Sequence, residues 1–395
     1  MNDREAYVVA AVRTPTARAK RGALRWARPE HLAAVAVRGA LDRVPGLEPG
    51  DIDDVVMGTA FPEGPQGMNL ARMVAQRVGL PDSVAGETIN RFCASGLQAI
   101  AHATQAIRAG HADVMIAGGV ESMSQVPMTG FFFQPDPETV GRDPDTLLSM
   151  GLTAENVARA YSVSREDQDD FALRSHQRAT HAIDSGAFNE EIVPTPLSDV
   201  VWHNGHPQRW EQTLEVDEGP RADTSLEALG ALRPAFHAKG TVTAGNASPM
   251  SDGAAAAVVM SGARVRATGA RPLGVLRAYA VSGTAPEMMG IGPVEAIPKA
   301  LRQADLTLAD LDVIELNEAF AAQALAVIRT VGLDEERVNV NGGAIALGHP
   351  LGCTGAKLTA TLLSTMARRD QRCGLVTMCV GGGMGAAGIF ERVVD

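Results

Sequence analysis

Leu47-Glu48-Pro49-Gly50-Asp51-Ile52-Asp53-Asp54-Val55-Val56 is answered far down the chain by Leu308-Ala309-Asp310-Leu311-Asp312-Val313-Ile314. Each stretch runs from a leucine through an acidic turn into an apolar strand pattern. Working outward, a helical pattern precedes both: Pro29 to Val44 before the first, Pro293 to Ala304 before the second. A second helix follows both, ending Arg77-Val78-Gly79-Leu80 in one copy and Thr330-Val331-Gly332-Leu333 in the other. Next come a polar lead-in to a helix at Cys93 and, in the second copy, a glycine-rich turn into a helix over 348–368. Each copy then closes on a glycine-bearing strand, Val114-Met115-Ile116-Ala117-Gly118-Gly119 and Val376-Thr377-Met378-Cys379-Val380-Gly381-Gly382. The offsets stay between 253 (Gly79 to Gly332) and 264 (Pro29 to Pro293), as a repeat requires. The chain therefore reads as a duplicated α/β unit, with a mostly parallel buried sheet expected in each half.

Between the copies lies an insertion at 122–246. A connection of that length with helices of its own is a subdomain or lid. It carries a helix from Arg165 to Ser185, with Ser164 placed to cap it, and a surface excursion from Val200 to Gly219. Ala254 to Met260 then returns to buried strand, like Ala6 to Val12 at the start. The basic segment Arg18 to Arg28 stands out in an acidic protein; it reads as a solvated loop or a contact for a phosphorylated ligand.

At 395 residues the chain exceeds one ordinary core, so two or three packing units are expected. A net charge of −11 speaks against nucleic-acid or membrane-surface binding. No apolar run reaches spanning length, and Met1-Asn2-Asp3-Arg4-Glu5 does not open a signal peptide. The four cysteines contain no CxxC pair, so a reducing, cytoplasmic setting is expected rather than a disulfide framework.

Four segments carry chemistry. In Asn90-Arg91-Phe92-Cys93-Ala94-Ser95-Gly96-Leu97, Cys93 stands at the start of a helix whose apolar face is Leu97, Ile100, Ala101, Thr104 and Ile107. Free N–H groups and the helix dipole there favour a thiolate nucleophile; a small buried residue is the plainer alternative. Asn317-Glu318-Ala319-Phe320 follows a strand, where α/β folds bind ligands, although Asn317 could equally cap the next helix. Glycines and Pro350 hold His349 in an irregular turn, in the position that matches the Cys93 region in the other copy, and a histidine is a base near neutrality. In Met378-Cys379-Val380-Gly381-Gly382-Gly383, glycines free backbone N–H groups for an oxyanion, and Cys379 is either a tunable acid or strand filler. Gly383, Gly385 and Gly388 match G-x-G-x-x-G, but the few residues after them leave no room for a dinucleotide site. No spacing among the cysteines and His349 suits a metal.

Together these segments resemble the thiolases, over essentially the whole chain from Arg13-Thr14-Pro15 to Phe390-Glu391. The resemblance implies two α/β halves in a five-layered αβαβα core with an inserted loop domain. Its parts here are an N-terminal half, 1–121 completed by 247–273, a CoA-binding loop domain, 122–246, and a C-terminal half, 274–395. It also implies an acyltransferase in which Cys93 carries the acyl group, His349 helps form the thiolate, and Asn317 holds a water at the enolate. Cys379 then exchanges the α-carbon proton, and the N–H groups of Cys93 and Gly381 meet the acyl oxygen. Ser248, Ala244 and Arg221 match CoA contacts; Met150, Phe236, Met289, Ala319 and Phe320 match the pantetheine or acyl tunnel. Coenzyme A is a substrate, and no cofactor or metal is implied.

Within the family, Val126-Pro127-Met128-Thr129-Gly130-Phe131-Phe132-Phe133 and Met150-Gly151-Leu152-Thr153-Ala154-Glu155 look more like the degradative 3-ketoacyl-CoA thiolases of β-oxidation. Ser149 departs from the histidine of some biosynthetic members. The alternatives are an acetoacetyl-CoA thiolase, a decarboxylating ketoacyl synthase, against which Cys379 speaks, and a non-catalytic acyl-CoA-binding relative, against which Cys93 and His349 speak. Family members form homodimers or homotetramers, and some associate with other β-oxidation enzymes.

Overall fold

The computed structural model describes residues 2–203 and 206–394. In chain order the principal elements are β1 Ala6–Arg13, α1 Pro29–Leu41, β2 Asp54–Gly58, α2 Leu70–Val78, β3 Ala85–Ile89, α3 Ser95–Arg108 and β4 Val114–Ser122. The insertion contributes α4 Met150–Ala160, α5 Arg165–Asp184 and a hairpin of β5 Thr195–His203 and β6 His206–Leu214. The chain continues with β7 Ser251–Ser261, β8 Gly274–Gly283, α6 Gly292–Ala304, β9 Val313–Leu316, α7 Ala321–Val331, α8 Leu351–Arg368, β10 Cys373–Val380 and β11 Met384–Arg392.

Local chemistry sets the ends of these elements. Asn69 Oδ1 accepts from Arg72 N–H at the start of α2, and Ser164 Oγ accepts from Asp167 N–H at the start of α5. The matched helices α2 and α7 end on Gly79 (φ 91°) and Gly332 (φ 80°), both left-handed, a conformation that suits glycine. The duplication thus extends to the cap that stops each helix.

The strands form one run, in the order β9-β10-β11-β8-β1-β7-β4-β2-β3. A short strand at Ala17–Arg18 pairs with β7. Alternate residues along the strands face different cores, as a period of two requires. Tyr7, Val9, Val55 and Met57 pack with Leu32 and Val37 of α1 and Leu70 and Val74 of α2. Their neighbours Val8 and Val56 turn the other way, onto Leu97 and Ile100 of α3 and Leu362 and Met366 of α8. From the far side, Val376, Met378 and Phe390 reach that same helical layer. Leu375 and Ile389 point outward, to Ile297 of α6 and Leu325 of α7. Five layers result: α1/α2, sheet, α3/α8, sheet, α6/α7. The two sheets touch where Tyr7 and Val8 pair with Val275 and Gly274.

The central helices lie close because glycines face each other across them. A Cβ on Gly96 would stand 2.7 Å from Ala356 N, and one on Gly355 would overlap the backbone of Leu97.

The mostly parallel sheets expected above are not what forms. β2 pairs in parallel with β3 and β4, and β9 with β10, but the pairs β1–β7, β1–β8, β4–β7, β8–β11 and β10–β11 are antiparallel. Parallel neighbours need a crossover, and α2, α3, α7 and α8 lie in those connections. β10 and β11 are joined by three residues, Gly381 to Gly383, which permits a hairpin alone. Gly383 and Gly385 open β11 and are followed by strand, not helix.

The surface excursion expected from Val200 to Gly219 is largely the β5–β6 hairpin, exposed along most of β6; residues 204–205 lie outside the described residues. Among the described residues, no helix is long and apolar enough to cross a membrane.

Candidate active site

Cys93 sits between β3 and α3, in a 3-10 turn, Phe92–Ala94. Side chains wire the turn: Phe92 N–H donates to Asn90 Oδ1 (2.7 Å), Arg91 N–H to Ser95 Oγ (2.9 Å) and Ser95 Oγ to Phe92 O (2.7 Å). Phe92 adopts φ +41°, which costs a bulky residue on the order of 1–3 kcal/mol. This wiring holds the strain and leaves Cys93 only half-buried. The backbone N–H groups of Gly381 and of Cys93 itself favour the Cys93 thiolate.

Those dipoles do not make Cys93 a resting thiolate. Burial, with the Glu121 carboxylate behind it, pushes the thiol up to about 12 in spite of the N–H groups. A helix start was expected to favour the anion; desolvation outweighs it, so the sulfur needs a base. Glu121 itself accepts from Ala60 N–H (2.8 Å), Gly352 N–H (2.8 Å) and Gln66 Nε2 (2.7 Å). It thereby ties the chain beyond β2 to the first turn of α8.

His349 lies two residues ahead of α8, not inside the helix expected over 348–368. Its backbone N–H donates to Ser251 Oγ (3.1 Å), and its Nδ1 lies 2.6 Å from Thr354 Oγ1. Asn317 Nδ2 lies 3.3 Å from its Nε2. Burial and the charge of Lys357 push the imidazole down to about 3, so it is neutral at ordinary pH.

Asn317 stands at the end of β9. It does not cap α7, whose N-cap is Phe320. Its side chain turns inward to His349, and its Oδ1 is buried without a protein partner. Cys379, on β10, is buried in an apolar cluster with Met150, Met289, Ala319 and Phe320. Burial, then the neighbouring Cys93 sulfur, raise its thiol well above the ordinary value.

That cluster forms an apolar wall beside the sulfurs. Phe236 meets Phe320 edge-on at 6.0 Å. Ser248 donates through both its N–H and its hydroxyl to Ala319 O, each at 3.0 Å. Ala244 is exposed on the same segment, which Asn246 pins by donating Nδ2 to Asp169 Oδ1 (2.9 Å). Arg221 is exposed elsewhere, its N–H on His176 Nδ1 (3.2 Å) and its guanidinium facing Arg18.

Several residues that carry this geometry were not singled out from sequence. Thr354 and Ser251 hold His349. Glu318, quoted only as a neighbour of Asn317, accepts from Ser175 Oγ (2.6 Å), Asn339 Nδ2 (2.8 Å) and Ile345 N–H (3.2 Å), and so fixes the turn leading to His349. An acid inside so apolar a stretch was the available signal. Among the described residues, no three His, Cys, Asp or Glu side chains are grouped to hold a metal.

The arrangement therefore offers a protonated thiol beneath two N–H groups, a neutral imidazole, an amide oxygen open for a partner, and a second thiol against an apolar wall. That set suits acyl transfer with proton exchange at an adjacent carbon.

Comparison with known proteins points the same way. The family described as "Thiolase, N-terminal domain" matches residues 6–263, and "Thiolase, C-terminal domain" matches residues 270–392. A 3-ketoacyl-CoA thiolase from Bacillus subtilis (strain 168) is 53% identical over 389 residues, 98% of this chain and 99% of the relative. Among solved structures, the Bacillus anthracis acetyl-CoA acetyltransferase aligns with a TM-score of 0.89 at 42% identity, over 98% of this chain and 99% of its own. Human mitochondrial 3-ketoacyl-CoA thiolase aligns with a TM-score of 0.89 at 41% identity, over 100% of both chains.

Proposed function

The chain belongs to the thiolase family, and from that premise we propose that it cleaves 3-ketoacyl-CoA with coenzyme A, giving acetyl-CoA and a shortened acyl-CoA. It is an acyltransferase, and coenzyme A enters as a substrate. The observation that carries the residue roles is Asn317 Nδ2 meeting His349 Nε2 at 3.3 Å, beside an Asn317 oxygen left without a protein partner; the N–H groups of Cys93 and Gly381 would meet the acyl oxygen.

On this reading the Cys93 proton passes to His349 Nε2, and the sulfur attacks the ketone carbon. The bond between the ketone and the α-carbon breaks, leaving the acyl group on Cys93 and an acetyl-CoA enolate. A water on the open Asn317 oxygen, with the imidazolium, steadies that enolate, and Cys379 delivers its proton to the α-carbon. The thiol of a second coenzyme A then gives its proton to the Cys379 thiolate and takes the acyl group, and the released Cys93 sulfur recovers its proton from His349. Ser248, Ala244 and Arg221 would meet coenzyme A; Met150, Phe236, Met289, Ala319 and Phe320 would line its arm or the acyl chain. In this proposal 122–246 is the CoA-binding loop domain, set between a half formed by 1–121 with 247–273 and a half formed by 274–395.

The relatives named 3-ketoacyl-CoA thiolase support a degradative enzyme. We further take it to act in β-oxidation in the cytoplasm as a homodimer or homotetramer, with other β-oxidation enzymes as candidate partners. The structural likeness to an acetyl-CoA acetyltransferase favours, as a second reading, condensation of two acetyl-CoA. A chain-length profile separates the two. The expected result is turnover of long 3-ketoacyl-CoA as well as acetoacetyl-CoA; activity confined to acetoacetyl-CoA would make it the second. Mass spectrometry after incubation with acetyl-CoA should find an acetyl group on the Cys93 peptide, and its absence would overturn the mechanism.

A further inference from the structure

Lys357 lies in the second turn of α8 and is buried, 2% exposed. Its Nζ donates to Gly348 O (3.0 Å) and Leu347 O (3.4 Å), the carbonyls of the two residues immediately before His349. The turn needs such a brace. Gly348 holds φ +86° and ψ 157°, a conformation closed to residues with a side chain, and a Cβ there would stand 2.6 Å from Ser251 Oγ. From the other side, Leu347 and Ala346 pack on apolar groups of α5 and the turn after it, Ala179, Ala182 and Phe188 among them.

The charges around Lys357 come from every neighbouring element. Arg13 arrives from β1, Glu191 and Asp217 from the insertion, Glu315 from β9 and Cys353 from α8. Arg13 occupies the insertion's two carboxylates: it donates Nε to Glu191 Oε1 (2.5 Å) and both terminal nitrogens to Asp217 (2.8 and 2.9 Å). Thr361 and the Thr16 N–H complete their shells. Glu315 is fully buried with an unpartnered oxygen, and burial pushes its carboxyl well above the ordinary range. Lys357 forms no ion pair within the described residues; burial, then Arg13, push its ammonium below the ordinary lysine value while the carboxylates oppose this, its nitrogen rests on carbonyls, and it is the charged group that acts on His349.

We propose that Lys357 is a positioning residue for the reaction: it clamps the turn that carries His349 and holds its ammonium beside that imidazole. The proposal rests on His349 acting as the base for Cys93. The clamp holds Nε2 in place, and the charge keeps it unprotonated and ready to accept. Because Asp217 and Glu191 belong to the insertion, the same cluster joins that segment to the turn.

The test is the pH profile of Cys93 alkylation by iodoacetamide, read by peptide mass spectrometry on full-length protein without acyl-CoA. Lys357→Arg, Lys357→Gln, Lys357→Met and His349→Ala are compared with the parent chain. Removing the positive charge lets His349 protonate at higher pH, so the acid limb should move up by about one unit in the Gln variant. The Arg variant should keep the limb in place. In thiolysis, the Met variant should lose roughly tenfold or more in kcat with little change in KM. The proposal is overturned if the Gln and Met limbs coincide with the parent's, or if Arg shifts as far as Gln. Should Met fail to fold, the Arg and Gln pair still decides. If His349→Ala leaves the acid limb unmoved, His349 is not the base and the proposed mechanism falls too; if only the Lys357 variants are silent, Lys357 alone is misassigned.

Discussion

His349 Nδ1 lies 2.6 Å from Thr354 Oγ1, and the hydroxyl of Thr354 donates its one proton to Pro350 O at 2.9 Å. Thr354 therefore has only a lone pair to offer, so His349 carries its proton on Nδ1. Nε2 is left as an acceptor, directed at Asn317 Nδ2. One hydroxyl, five residues on, selects the tautomer of the proposed base.

Thr354→Val keeps the shape and removes the lone pair. With the tautomer no longer imposed, kcat should fall roughly tenfold to a hundredfold, within the range of a displaced general base. Steady-state kinetics checks this: KM should stay within about twofold, because the substitution alters the imidazole and not the apolar wall.

Cys379→Ala separates the two half-reactions. Acyl transfer onto Cys93 should survive, seen as an adduct by mass spectrometry, whereas exchange of the acetyl-CoA methyl protons in deuterated water should fall at least roughly a hundredfold. Loss of both together would place Cys379 in the first step as well.

Two buried histidines tie stability to pH. Burial and the charge of Lys357 hold His349 at about 3; burial, Arg221 and Arg18 hold His176 at about 4. In the unfolded chain each titrates near 6.5, so below that pH the unfolded state binds protons that the folded state refuses. Their contribution is complete above about pH 6.5 and is lost as the pH falls, by up to about 1.4 kcal/mol per unit for each histidine. Buried carboxylates such as Glu121 and Glu318, raised by burial, act in the opposite sense. Comparison with His176→Gln cancels them: urea unfolding from about pH 6.5 to about pH 5 should show a smaller loss of stability in the variant than in the parent.

Gly355→Ala tests the helical layer between the sheets. The new Cβ would overlap the backbone of Leu97, which cannot retreat without moving α3 and the Cys93 turn. Stability should fall by about 1–3 kcal/mol, measured as a lower urea midpoint, and kcat should fall with it. An unchanged kcat would mean that α3 accommodates the methyl without disturbing Cys93.

Much of the fold was legible because it rests on local rules applied twice. Helix and strand periods, acidic turns and the glycines that end α2 and α7 recur at a near-constant offset, and a repeated pattern survives errors at any one position. Strand direction was less legible. Alternating helices and strands suggested parallel pairing, but β7 returns from a long insertion and β11 from a three-residue turn, and pairing across such distances leaves no periodic mark in the chain.

The amino-acid sequence by itself determined which residues are candidates for the chemistry: Cys93 at a helix start, His349 between glycines and a proline, Asn317 at a strand end, Cys379 before a glycine run. Tertiary structure decided what those groups are at rest. Desolvation left Cys93 a thiol despite its helix start, Asn317 turned from capping α7 to meet His349, and Thr354 selected the histidine's tautomer. Burial and charge at a point are sums over neighbours distant in the chain: only the folded chain brings Lys357 to His349, Glu121 to Cys93, and Arg13, Glu191 and Asp217 to Lys357.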